Sequence, residues 1–112
     1  LQTGHPGIAY GRGRSRAVAL ESAVDAAFGA ADFLVAPTTP TLPLPRRDDI
    51  GEAERTRRGW AVLEFTGPFN VSGHPAISIP TEPVDDLPVG MMIVGRKNAD
   101  FQILELIKKM ID

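Results

Sequence analysis

Apolar residues fall into successive blocks along the chain, and their spacing alternates between helical and strand-like. Ala17, Leu20, Val24, Ala27, Phe28 and Ala31 recur on one helical face while Glu21, Ser22 and Asp25 lie off it, which predicts a helix over about 15–31. Phe33-Leu-Val-Ala36 is a short apolar run stopped by Pro37, and reads as a strand over 33–36 buried on both faces. From about 50 to 65 a second helix is predicted, charged at its start (Glu52, Glu54, Arg55, Arg57, Arg58) and apolar later (Trp60, Val62, Leu63), and weakened by Gly51 and Gly59. Ala76–Ile79 and Val89–Val94 read as two further strands. The last block, about 100–111, is an amphipathic helix with Asp100 as its expected N-cap. Gln102, Glu105, Lys109 and Asp112 form its polar stripe, and Phe101, Ile103, Leu104, Ile107, Met110 and Ile111 cover the rest.

Proline and glycine punctuate these blocks. Residues 1–13, with Gly4, Pro6, Gly7, Gly11 and Gly13, read as a flexible arm or loop. Thr38–Pro45 cannot be helical, because proline lacks the N–H and pushes its predecessor towards extended backbone. TEPVDDLP joins the last two strands; a hairpin would connect them, but this linker is too long to specify a turn type. Gly90 inside the last strand points to a close approach by another backbone or a ligand. The order helix, strand, helix, strand, strand, helix is that of an α/β fold with a mixed sheet. Neither short strand shows the in–out alternation of a solvent-facing sheet, so both expect cover on two sides. That pattern suits a chain built to sit inside something larger, with a self-contained three-layer domain as the alternative.

The 112 residues fit one domain, and 43% hydrophobic with 23% charged residues is ordinary for a soluble globular protein. A net charge of −2 offers no overall attraction to nucleic acid or an anionic membrane. Without cysteine there is no disulfide framework and no thiolate zinc site, a composition that fits a cytosolic protein. The longest apolar stretch, Leu87–Gly95, falls far short of the ~20 residues that span a bilayer. No apolar core follows the basic N-terminal residues, so they do not read as a secretory signal.

Little conventional reaction chemistry is present. Ser72 has Asn70 and His74 where a G-x-S-x-G elbow needs glycines. Residues two apart, like Ser72 and His74, seldom face each other as nucleophile and base without a third group orienting the base, so Ser72 reads as a hydroxyl tying down the turn before Gly73. His5 and His74 are the only imidazoles, and Asp48-Asp49 and Asp85-Asp86 read as solvated turn carboxylates; no metal site and no cofactor is expected. Gly11-Arg-Gly-Arg-Ser-Arg16 lacks both the third glycine of a dinucleotide loop and the Gly-Lys-Ser/Thr of a P-loop. Arg12, Arg14 and Arg16 therefore read as a solvated or interface arm, with an anion or nucleic-acid contact as the alternative. Trp60, Phe65 and Phe69 read first as core, and alternatively as walls of a hydrophobic substrate pocket with Thr66 and Asn70 as its polar groups.

Asp32-Phe-Leu-Val-Ala-Pro-Thr-Thr-Pro40, Phe65-Thr-Gly-Pro-Phe-Asn-Val-Ser-Gly-His-Pro-Ala76 and Leu87-Pro-Val-Gly-Met-Met-Ile-Val-Gly95 together resemble the C-terminal part of an amidase signature enzyme. The likeness runs from about Asp32 to the end. It is strongest to bacterial amidases acting on aliphatic and aromatic amides, and extends to the large amide-cleaving component of the glutamyl-tRNA amidotransferase. Residues 1–31 match only loosely. The resemblance implies that residues 1–112 are the C-terminal segment of a mixed-sheet α/β amidase domain. Such enzymes hydrolyse small-molecule amides through a Ser–cis-Ser–Lys triad and an acyl-enzyme, without a cofactor. No Gly-Gly-Ser-Ser stretch occurs here, and Lys97, Lys108 and Lys109 stand outside every matched catalytic motif. The resemblance thus implies no catalytic residue in this chain, which alone should be inactive.

Carried over position by position, the likeness makes Trp60, Val62, Phe65, Thr66 and Phe69 substrate-facing in the parent enzyme. It also implies a cytoplasmic protein with no membrane or nucleic-acid partner, which forms homo-oligomers or associates through exposed core surface. Glu82-Pro83 and Asp85-Asp86 depart from the family's glycine-rich turn. A free-standing interaction module that pairs with a different protein is the alternative reading.

Overall fold

The computed structural model describes residues 7–111. Along the chain run α1 (Gly7–Phe28), β1 (Phe33–Pro37), α2 (Glu52–Ala61), α3 (Gly67–Ser72), β2 (Ala76–Pro80), β3 (Gly90–Gly95) and α4 (Asp100–Ile111). This is the α/β arrangement that the hydrophobic blocks predict, with three differences that have physical causes.

First, α1 begins at Gly7, so most of the expected arm is helical; its first residues lie outside the described range. Nothing crowds Gly7, Gly11 or Gly13, so each costs the helix only its propensity, about 1 kcal/mol. The helix also ends earlier than expected, at Gly29 (φ +53), a left-handed stop that ties Ala31 N–H to the Phe28 carbonyl at 2.8 Å. Second, the helix expected over 50–65 stops at Ala61. Turns follow, and Pro68 then sits in the first turn of the short α3, where its missing N–H is no loss. Third, Asp100 is the first residue of α4 rather than its cap.

The three strands are ordered β1-β3-β2, and both ladders are antiparallel; the mixed character expected of the sheet is not carried by these strands. β2 and β3 form a hairpin whose long linker is itself folded back. Asp85 (φ 53) and Asp86 (φ 61) occupy left-handed backbone between Val84 and Leu87, which exchange both backbone hydrogen bonds at 3.0 and 2.9 Å. Two consecutive positive φ values are what a tight hairpin turn of matching twist requires, and aspartate tolerates them.

One face of the sheet is covered by α1 and α3. Val24 and Phe28 of α1 pack on Met92 and Val94 of β3, ringed by Leu20, Leu34, Ala36, Phe65 and Phe69. On the opposite face Ile103 of α4 seats against Gly95, and Ile93 is buried. Beyond that contact the face is open: Val35 is 61% exposed, and Phe101 of α4 is 78% exposed. The two-sided burial expected of β1 is therefore absent within this chain. Arg96 locks the end of α1 to the sheet. Its guanidinium donates to the Gly29 and Ala31 carbonyls at 2.8 and 3.0 Å and lies 4.9 Å from the Phe28 ring centroid.

Candidate functional site

Two cavities adjoin at the end of the covered face. The smaller, ≈ 220 Å³, is lined by Thr66, Phe69 and Asn70 around α3 and by Met92 of β3. The larger, ≈ 470 Å³, is an apolar groove between the proline-rich segment after β1 (Leu42, Pro43, Leu44), Val62, and the Pro88–Gly90 end of the hairpin. Thr38 and Ser78 line both. These residues come from the two edge strands of the sheet, and their hydroxyls meet at 2.5 Å. A Cβ on Gly90 of the central strand would stand 2.7 Å from Ser78 Oγ and 3.0 Å from Thr38 Oγ1, so the meeting depends on glycine there. The close approach expected at Gly90 is real, and it comes from side chains of the flanking strands.

The five residues singled out as substrate-facing separate into groups. Thr66 and Phe69 line the smaller cavity, and Val62 lines the groove. Phe65 packs against the core cluster, so the aromatic bulk expected there serves the interior. Trp60 is 69% exposed on α2, a helix that buries none of its residues, and it lines neither cavity.

Beside the smaller cavity lies an array that short-range reasoning disfavours. His74 Nδ1 is 2.8 Å from Ser72 Oγ, and its Nε2 is 2.7 Å from Asp25 Oδ1. Gly73 is the cause: at φ +79 it reverses the chain between α3 and β2, so that the side chains on either side of it turn together. The third, orienting group comes from Asp25, 49 residues away on α1. The imidazole also stacks on Phe28, with centroids 5.9 Å apart. Glu21 on the same helix pairs with Lys97 at 3.1 Å. Ser–His–Asp is the membership of a hydrolytic triad, but Ser72 is only 1% exposed and the His74 side chain not at all. A nucleophile must lie about 3–3.5 Å from a substrate carbon, and no substrate reaches this oxygen. The array is a buried strut between α1 and the α3–β2 turn, and among the described residues every buried polar side-chain atom is partnered. Ser72 does tie down the turn, as expected of it, donating weakly to the Phe69 carbonyl at 3.4 Å.

Elsewhere the charge pairs are superficial. The Arg47 guanidinium holds the Asp49 carboxyl below the usual carboxylate range, and Arg57 does the same to Glu54. Arg12, Arg14 and Arg16 are exposed along the first half of α1. Among the described residues no group of three or more His, Asp or Glu could hold a metal ion, and no helix is long and apolar enough to cross a membrane.

The amidase family model matches residues 3–104. A Rhodococcus erythropolis protein described as an uncharacterized protein in the nthA 5′ region is 37% identical over 112 residues, which covers 93% of this chain and 56% of that protein. The crystal structure of the glutamyl-tRNA(Gln) amidotransferase component that belongs to this family, from Thermotoga maritima, superposes with a TM-score of 0.65 at 26% identity, over 81% of this chain and 19% of that one. A bacterial aryl acylamidase described as an amidase signature enzyme superposes with a TM-score of 0.63 at 27% identity, over 80% of this chain and 20% of that one. The chain thus spans little more than half of the first relative and about a fifth of the two solved structures.

Proposed function

The chain belongs to the amidase signature family, and from that premise we propose that it is the C-terminal part of a cytoplasmic enzyme that hydrolyses carboxylic amides to acid and ammonia or amine. In this reading it supplies strands and one wall of the substrate pocket, with Val62, Thr66 and Phe69 facing substrate. The Ser–cis-Ser–Lys triad belongs to another segment. Within this chain Lys97 is paired with Glu21, while Lys108 and Lys109 are exposed on α4. Acyl transfer needs an activated nucleophile and donors aimed at the oxyanion, and the Ser72–His74 couple is sealed from substrate.

The observation that carries the proposal is the amount of surface left uncovered. A folded 12.0 kDa monomer exposes about 6,000 Å², whereas this chain exposes 8557 Å². The excess, about 2,600 Å², is the size of a large obligate interface. Its radius of gyration, 17.2 Å, likewise exceeds the roughly 13 Å of a compact chain of this length. The same open face supports the second reading, a module that docks on a different protein or on its own copy.

Assaying ammonia release from benzamide and hexanamide tests the proposal. The purified chain alone should show no turnover, and the gene upstream of the Leu1 codon should encode a lysine followed by a Gly/Ser-rich stretch. Turnover by the isolated chain would overturn the assignment of the triad to another segment. An upstream sequence without those groups would overturn the hydrolase reading and leave the docking module.

A further inference from the structure

We propose that the Thr38–Ser78 hydroxyl pair is a carboxamide-binding element and that the site it anchors selects neutral amides with apolar substituents. The inference rests on the amide-hydrolase reading above and adds to it the residues that hold the amide and the substrate class.

Two hydroxyls carry two donors and four acceptor lone pairs. Their mutual contact at 2.5 Å uses one donor and one lone pair, and no other side-chain hydrogen bond engages either oxygen among the described residues. One O–H and several lone pairs therefore remain, side by side. A carboxamide presents the complement, a carbonyl acceptor next to an N–H donor. A carboxylate presents acceptors only, so it leaves the lone pairs of the hydroxyl pair unanswered.

The location of the pair points the same way. It is common to both cavities, so a ligand held there by its amide has room on each side for a substituent, ≈ 470 Å³ in one direction and ≈ 220 Å³ in the other. The walls are apolar: Leu42, Leu44 and Val62 on the groove side, Phe69 and Met92 on the other. No Asp, Glu, Lys or Arg among the described residues lines either cavity, and the His74 side chain is fully buried, so it presents no ring to the smaller one. A charged ligand would exchange water for a lining that offers no counter-charge, which costs more than the hydroxyl contacts return. Gly90 is the third part of the device, since a methyl group there would occupy the space in which the hydroxyls meet.

Titration of the 15N-labelled full chain with benzamide tests this. Saturable shifts should appear at the backbone resonances of Thr38, Ser78 and Gly90. Benzoate should bind at least about tenfold more weakly, and T38V/S78A should weaken benzamide about tenfold, the effect of losing one buried hydrogen-bonding group. T38S keeps the hydroxyl and should keep the binding, which controls for a variant that misfolds. Absence of shifts at those three residues, equal binding of benzoate, or T38V/S78A binding like the wild type would overturn the inference. Binding at the pair by a chain whose gene encodes no triad upstream would instead remove the hydrolase reading and leave the amide site standing. A triad upstream with no benzamide binding here would remove the amide site alone.

Discussion

Replacing His74 with alanine should be the most damaging single change to the α1–α3 contact, by about 3 kcal/mol. Two losses make up most of that figure. The imidazole side chain is fully buried and stacked on Phe28. Truncating a buried phenylalanine costs about 3–5 kcal/mol, and a smaller, more polar ring about 2. Ser72, 1% exposed, then keeps only its weak 3.4 Å bond to the Phe69 carbonyl, which adds about 1 kcal/mol for an underserved buried hydroxyl. Asp25 contributes little, because its carboxylate is 52% exposed and re-solvates in place. The order of effect should be H74A, then S72A at about 1–2 kcal/mol, then D25N below about 1 kcal/mol, since the asparagine oxygen still accepts from Nε2–H. Equilibrium urea unfolding followed by circular dichroism, with an unchanged m-value as control, measures all three. If H74A leaves no folded baseline, the S72A and D25N pair carries the test alone. D25N costing as much as S72A, or H74A costing under about 1 kcal/mol, would refute the strut.

The same logic of close contact gives G95A a cost of about 1–3 kcal/mol, because its new Cβ would lie 2.8 Å from Ile103 Cδ1 and 3.3 Å from Ala99 Cβ. In an I103V background, which deletes Cδ1, at least half of that cost should vanish in a double-mutant cycle; additive effects would refute the contact. The pairs Arg47–Asp49 and Arg57–Glu54 depress their carboxyl pKa values, so what stability they add is present above the unfolded carboxylate range and is lost as pH falls through the lowered folded values. Melting curves of wild type and R47Q/R57Q should therefore differ slightly at pH 6 and converge below about pH 3; a gap that widens with acid would contradict the assignment. Substituting Phe101 and Leu104, 78% and 56% exposed on α4, with serine should leave the circular dichroism spectrum unchanged and reduce concentration-dependent association in sedimentation. Undiminished association would place the sticky surface elsewhere.

What a linear pattern can and cannot carry is plain in particular residues. Periodicity and proline placement find β1, β2, β3 and α4 to within a residue or so, because those segments are defined by local spacing and by punctuation at Pro37, Pro75 and Pro88. The first turns of α1 escape, since glycines signal breaks in sequence yet cost a free-standing helix little where nothing packs on it. Spacing alone discounts the Ser72–His74 pair for the lack of a third group. That group, Asp25, lies on another element and has no sequence signal linking it to His74. Thr38 and Ser78 escape for the same reason: each is an ordinary strand-end hydroxyl until the sheet order places both beside Gly90. Trp60 is overvalued by its sequence because aromatic bulk announces burial, while α2 has no partner within this chain to bury it.

The largest mismatch between pattern and packing is itself informative. β1 reads as a strand covered on both faces, and a lone protein with that sequence should bury Val35; here Val35 is 61% exposed while its neighbour across the ladder, Ile93, is 2% exposed. Burial thus stops at the outer strand, where α4 stops reaching. The residues left bare are not scattered: Val35 on the sheet and Phe101 and Leu104 on α4 belong to the same side of the sheet. A solvated edge would carry charges or alternate polar positions there, as edges in free-standing sheets do. An apolar strand with apolar exposure is a surface written for a partner. The uncovered area of about 2,600 Å² says that the partner is large, on the scale of the rest of a domain rather than of a passing contact.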